Sequence, residues 1–248
     1  MNNFASEIYG VLFILTCIIL VYTSYTDVKK RTINSFIFLP VIALGAWFNV
    51  ANDAPLFFTV IGILIFLATY LNTSLVIYPI IGVAFLAVSL YYIASGEFAY
   101  GFTSLVMSLM FLIGFQERLF GIGDVKAMVA LFFSFTEFPF TTPLITPIQI
   151  ELAKVMPLSI VMLFNIAIVS LFFIPYLVIL NRRKGSSIGL HSVTSVDYDE
   201  KTYSRNMAKF SLRDTPSGKV MVYKTPFMIS VSVGFIITML AGFWFVLL

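Results

Sequence analysis

Apolar runs of about twenty residues recur from one end of this chain to the other, broken only by short polar connections. Eight such stretches are readable, at about 6–25, 33–50, 55–71, 74–94, 98–116, 122–139, 153–180 and 226–248. A run of this length is long enough to cross a bilayer as a helix, and too continuous for barrel strands, which alternate in segments of about ten residues. The composition points the same way: 60% of the 248 residues are hydrophobic and 11% are charged, where a soluble domain usually carries about 25% charged residues. The fold expected from these runs is an all-α, polytopic transmembrane helix bundle of about eight spans.

Charge placement orients that bundle. Lys29, Lys30, Arg31, Arg118, Lys126, Arg182, Arg183, Lys184 and the basic residues from Lys201 to Lys224 fall on one side, leaving Lys154 on the other. By the positive-inside rule the basic side is cytoplasmic and the N-terminus lies outside. Met1 to Gly10 contains no Lys or Arg, so the first run reads as a permanent helix and not as a cleavable leader. The chain then divides into a helical bundle over 1–180, a polar cytoplasmic loop over 181–224 and a C-terminal helix over 225–248. For the loop, two readings stand side by side: a solvated, partly disordered connection, or a surface helix resting on anionic lipid.

Some chemistries are poorly served. The single cysteine, Cys17, excludes an intrachain disulfide framework and a cysteine-only zinc site, and a lone buried thiol is most simply a small hydrophobe. His191 is the only imidazole and lies in the polar loop, so a Ser-His-Asp or Cys-His site starts badly. No nucleotide fingerprint is present, no cofactor or metal is implied, and no aromatic-laced basic face suggests nucleic acid.

Two aspartates stand out. Asp27 closes the first run in Tyr25-Thr26-Asp27-Val28-Lys29-Lys30-Arg31, and Asp124 lies in Gly121-Ile122-Gly123-Asp124-Val125-Lys126. The topology puts both at the inner face, with four crossings between them. Two carboxylates brought close together share one proton and separate in pKa, which allows one to activate water while the other protonates a scissile carbonyl. Gly121 and Gly123 suit a turn with positive φ, or the close approach of backbone to the Asp124 carboxylate. The opposing reading is that these are ordinary loop acids capping helices beside Lys29 and Lys126, whose amines anchor the helix ends.

At these residues the sequence resembles the type IV prepilin peptidase family, in particular its archaeal preflagellin and prepilin branch. Gly121, Gly123, Asp124 and Lys126 stand at the places of the family's Gly-x-Gly-Asp motif. Asp27, Lys29, Arg31, Ile33 and Asn34 stand at those of the segment after the first helix, without that segment's proline. The resemblance implies a membrane aspartic peptidase with Asp27 and Asp124 as the catalytic pair. Gly121, Gly123, Lys29, Lys126, Arg31 and Asn34 would support the turn or the substrate. It implies a pilin or archaellin precursor with a basic leader and an apolar helix as substrate, cut at the cytoplasmic face, and anionic membrane lipids as surroundings. Presenilin-like proteases share the glycine-aspartate pattern, but Asp27 follows Thr26 here and no Pro-Ala-Leu occurs. A transporter is the rival from another class, since Pro157, Asn165 and Pro175 interrupt the seventh run, although the same residues more often serve packing and interhelical hydrogen bonds.

Overall fold

The computed structural model describes residues 3–31, 33–71, 77–114, 121–136, 148–149, 151, 156–173, 175–176, 179, 195–205, 207, 210–215, 218–223 and 226–242. The first seven apolar runs fold, among the described residues, as α1 Asn3–Lys30, α2 Leu39–Ala51, α3 Leu56–Ala68, α4 Ile77–Ala94, α5 Phe98–Ile113, α6 Ile122–Ser134 and α7 Leu158–Leu171. A strand β1 (Ser195–Asp197), a short helix α8 (Glu200–Arg205) and strands β2 (Phe210–Thr215) and β3 (Gly218–Tyr223) follow, before α9 (Phe227–Ala241) closes the order. Glu117, Arg118, Glu137, Lys154, Arg182, Arg183, Lys184 and His191 lie outside the described residues.

Local chemistry sets several helix starts. Pro55, Pro157 and Pro226 each occupy the position before the first helical residue of α3, α7 and α9. A proline there ends the preceding segment without removing any bond of the helix it introduces. Asn34 begins a 3₁₀ turn over Ser35–Phe38, its side-chain Oδ1 accepting from the Phe36 amide at 3.2 Å.

The center of the bundle is α6. Every residue from Val125 to Phe135 is buried, apart from small residual exposure of Lys126, and the helix is packed by α2, α3, α5, α7 and α9. An α-helix apolar on all sides has nowhere to go but a core. Close contacts and polar ties between helices lock it in. A Cβ added to Gly62 would strike the Phe133 ring, and one at Gly45 would strike Ser134. Asn49 Nδ2 donates to the Phe133 carbonyl at 3.1 Å, and Ser134 Oγ to the Val41 carbonyl at 3.0 Å. Around this center α4 packs on α5 and α7 on α9. Asn165 Nδ2 donates to Thr238 Oγ1 at 2.9 Å across the α7–α9 seam, so the Asn165 read as a possible break in a transport helix serves packing.

The eight-span expectation is corrected here. Among the described residues two helices are long and apolar enough to cross a membrane, Ser6–Lys30 and Ile77–Ala94. The helices α2, α3 and α6 have 13 residues each, or about 20 Å at 1.5 Å per residue, against a hydrocarbon core of roughly 30 Å. Those of α7 and α9 have 14 and 15. Apolar runs of spanning length in sequence are thus shorter once folded, because caps and turns consume their ends. With the crossing count goes the parity argument for an outside N-terminus, a cytoplasmic face and a multi-pass membrane location.

The all-α expectation needs a second correction. Part of the segment read as a solvated loop or surface helix folds as an antiparallel sheet in the order β1-β3-β2, with Thr215 opposite Gly218 and Phe210 opposite Tyr223. Gly218 has φ 123°, beyond the reach of most side chains, and it begins β3 opposite Thr215.

Candidate functional site

The two aspartates have each found a backbone partner. Asp27 lies in the last turn of α1 and is 7% exposed. Its Oδ2 accepts from the amide of Met228 at 3.1 Å. That amide belongs to the first turn of α9, whose N-cap is Pro226, a residue with no side-chain acceptor. The first amides of a helix have no partner within it, so α1 supplies the cap that α9 lacks. Ser24, one turn earlier, donates to the Met228 carbonyl at 3.1 Å and shares a 2.7 Å hydrogen bond with Ser232. Burial pushes the Asp27 carboxyl above its ordinary range, while the Met228 amide and the Arg31 charge hold it down.

Asp124 is the third residue of α6, and its Oδ2 accepts from the Gly121 amide at 3.3 Å. Because glycine has no side chain, only the returning half of a capping box exists. Of the two uses expected of Gly121, the positive φ is corrected, since its φ is −64°, an ordinary extended conformation, while the close approach to the Asp124 carboxylate is present: a Cβ there would lie 3.3 Å from Asp124 Oδ2. Gly123 is a packing position. A Cβ there would sit 3.5 Å from the Cβ of Ile33, so the start of α6 rests on the segment that leaves α1.

The remaining candidates divide. Arg31 has φ 55°, ends α1 with its amide bonded to the Asp27 carbonyl at 3.0 Å, and lends its charge to the Asp27 carboxyl. Lys29 is exposed, its Nζ 3.4 Å from the Tyr25 hydroxyl. Lys126 is not an anchor reaching outward: it is 7% exposed, with Nζ 3.5 Å above the Tyr70 ring. Tyr70 in turn meets Phe66 edge-on and Phe36 at a tilt, with centroids 5.5 and 5.1 Å apart. Asn34 is occupied as the cap of the 3₁₀ turn. Reasoning from sequence missed Met228, Ser24, Ser232 and Tyr70, and no local signal could have found them.

The proteolytic expectation is therefore corrected. The influences on the Asp27 carboxyl are burial, the Met228 amide and Arg31; Asp124 is not among them, and the shared proton that the chemistry needs has no basis in this geometry. Among the described residues no group of three or more His, Cys, Asp or Glu is placed to hold a metal ion.

One open groove lies beside the Asp27 clamp. It measures about 440 Å³ and runs between the end of α1, the end of α7 and the start of α9, with Val28, Arg31, Val169, Phe172, Tyr176 and Ile229 among its walls. Phe172 is 73% exposed at its edge. The outer face of α1 continues this apolar surface: Val11, Ile14, Ile18, Val21, Tyr22 and Tyr25 are all exposed, at spacings that keep them on one side of a helix. The stripe ends at Lys29 and Lys30 in the last turn.

The chain matches no family model, no curated protein and no solved structure. The resemblance to type IV prepilin peptidases is corrected accordingly: the motif letters are present, but neither the family's helical architecture nor its acid pair accompanies them.

Proposed function

We propose that this chain is a lipid-associated protein that binds anionic lipid through the outer face and basic end of α1. The observation that carries the reading is the exposed apolar stripe from Val11 to Tyr25 running into Lys29 and Lys30. Contiguous apolar surface of this kind marks an interaction site. Tyrosines beside lysines at one end match the depth at which acyl chains give way to headgroups, where amphipathic rings and flexible amines both find partners. The α4 helix adds apolar surface: only 17% of its most apolar window is buried. The precursor peptide with a basic leader is the less suitable partner, because Lys29, Lys30 and Arg31 would repel its leader.

Flotation with reconstituted vesicles tests this. Near an anionic surface each lysine contributes about 1 kcal/mol, so Lys29→Gln with Lys30→Gln weakens binding to phosphatidylglycerol vesicles by roughly thirtyfold. Raising the salt concentration produces the same trend in the parent protein. Equal binding to phosphatidylcholine and phosphatidylglycerol vesicles, unmoved by the substitutions, would sink the reading.

A further inference from the structure

The two ends of the bundle differ in charge and agree in apolar exposure. At one end the α2–α3 turn carries Asp53 and the α4–α5 turn carries Glu97, both exposed. Stacked rings of Phe57 and Tyr92, with centroids 3.3 Å apart, join the start of α3 to the end of α4. Phe58 and Tyr100, 5.0 Å apart, join it to the start of α5. Tyr9 meets Phe48 edge-on at 4.9 Å, which brings the first turns of α1, and with them the exposed Glu7, to the same end. Trp47, Leu56, Tyr91 and Phe98 are each more than half exposed around these acids. Residues 32–114, which supply α2 to α5, contain Asp53 and Glu97 and no Lys or Arg. At the other end Lys29 and Lys30 close α1, both exposed, near Tyr22, Tyr25 and Phe36, again each more than half exposed. The aspartates of that end, Asp27 and Asp124, are engaged by the amides of Met228 and Gly121.

We propose that copies of this chain associate head to tail, the acidic end of one docking on the basic end of the next. The chain carries both halves of such a contact. Exposed aromatic side chains at each end supply the buried area, as they do in protein interfaces generally, while the charges choose its direction. Acid against acid, or base against base, would set like charges face to face, so a two-fold contact through either end alone is disfavored. Because two different surfaces meet, the contact repeats from copy to copy. The inference goes beyond the lipid reading and holds independently of it, although both draw on Lys29 and Lys30.

The test uses the full chain in a nonionic detergent with a zero-length carbodiimide, which joins a lysine amine to a carboxylate in contact with it. Glu7 precedes Lys29 by 22 residues on one continuous helix, about 33 Å at 1.5 Å per residue. A bond from Lys29 or Lys30 to Glu7, or to Asp53 or Glu97 at the same end, therefore forms between two copies. The expected result at low salt is a ladder of cross-linked species whose peptides pair these segments, lost at high salt. Glu7→Lys with Glu97→Lys, and separately Lys29→Glu with Lys30→Glu, each abolish the ladder, and mixing the two variants restores a cross-linked pair. Asp53 is left in place because its φ of 55° suits few other side chains. Circular dichroism establishes that both variants stay helical; should one unfold, the cross-linked peptides of the parent protein decide alone. A ladder that survives charge reversal, or whose peptides omit these acids, overturns the proposal in favor of an apolar contact such as the outer face of α4. A parent protein that stays monomeric at low salt overturns it outright.

Discussion

The carboxylate of Asp27 caps a helix that begins two hundred residues later, accepting the Met228 amide at 3.1 Å in a buried setting. The contact joins the end of α1 to the start of α9, and Ser24 and Ser232 extend it by one turn. Its strength comes from two sources: an otherwise orphaned amide is satisfied, and negative charge sits at the positive end of a helix dipole. Asp27→Ala removes both and leaves the amide buried, which costs about 1–3 kcal/mol. Asp27→Asn keeps an acceptor oxygen and loses less. Chemical denaturation of the two variants checks the order, and equal losses would show that the side-chain oxygen is not the cap.

The same carboxyl makes stability depend on pH. In the unfolded chain an aspartate ionizes near about 3.9, and in the fold Asp27 ionizes at higher pH because burial outweighs the Met228 amide and Arg31. Between those two values the folded protein holds a proton that the unfolded chain has released. Stability therefore falls as pH rises through this window and levels off above it. Asp27→Asn cannot titrate. The stability of the parent protein minus that of the variant should decline from acid toward neutral pH, measured as denaturation midpoints across the range. A difference that grows with pH would reverse the assignment.

Much of this arrangement is legible in the sequence, and the limits of that legibility are physical. Helix starts at Leu56, Leu158 and Phe227 follow prolines that stand in plain view. The six-residue runs around Pro216 and Ser217, ending in Val220-Met221-Val222-Tyr223, carry a hairpin signal in their length and β-branched content. The polar composition around it points to a loop instead. The centrality of α6 is not legible. Its run follows a glycine and carries Lys126, a residue that argues against a core, yet it is the helix on which five others pack. Apolarity on all sides erases the periodicity that would show which face is buried. The partner of Asp27 is a backbone amide, a group every residue but proline possesses, so no pattern of side chains could reveal it.

Lys126 makes a sharper case, since a nearly buried ammonium is costly without compensation. Its Nζ lies 3.5 Å above the Tyr70 ring, close enough for the ring quadrupole to attract it. Tyr70→Leu withdraws that face and destabilizes the protein by about 2 kcal/mol. Lys126→Met removes the charge while keeping the bulk, and it should be neutral or stabilizing in the manner of other buried ionic groups replaced by apolar ones. In the Lys126→Met background Tyr70→Leu loses most of its effect, and the double-mutant cycle measures this directly. Additive losses would show that ring and ammonium are not coupled.

Gly234 tests a seam where backbone meets backbone. A Cβ placed there would come within 2.7 Å of both the Cα and the backbone nitrogen of Ile166 on α7. Backbone cannot rotate aside as a flexible side chain does, so α7 and α9 must separate to admit even one methyl group. Overpacking of this kind costs about 1–3 kcal/mol, and moving the helices apart also stretches the Asn165–Thr238 hydrogen bond, now 2.9 Å. Gly234→Ala should therefore destabilize beyond any gain in helix propensity, which alone would favor alanine by about 1 kcal/mol. Gly10, where an added Cβ meets nothing within 4 Å, is the control in the same fold: Gly10→Ala should stabilize α1. A thermal-unfolding comparison separates the two, and a Gly234→Ala protein as stable as Gly10→Ala would mean that the α7–α9 seam is looser than its atoms indicate.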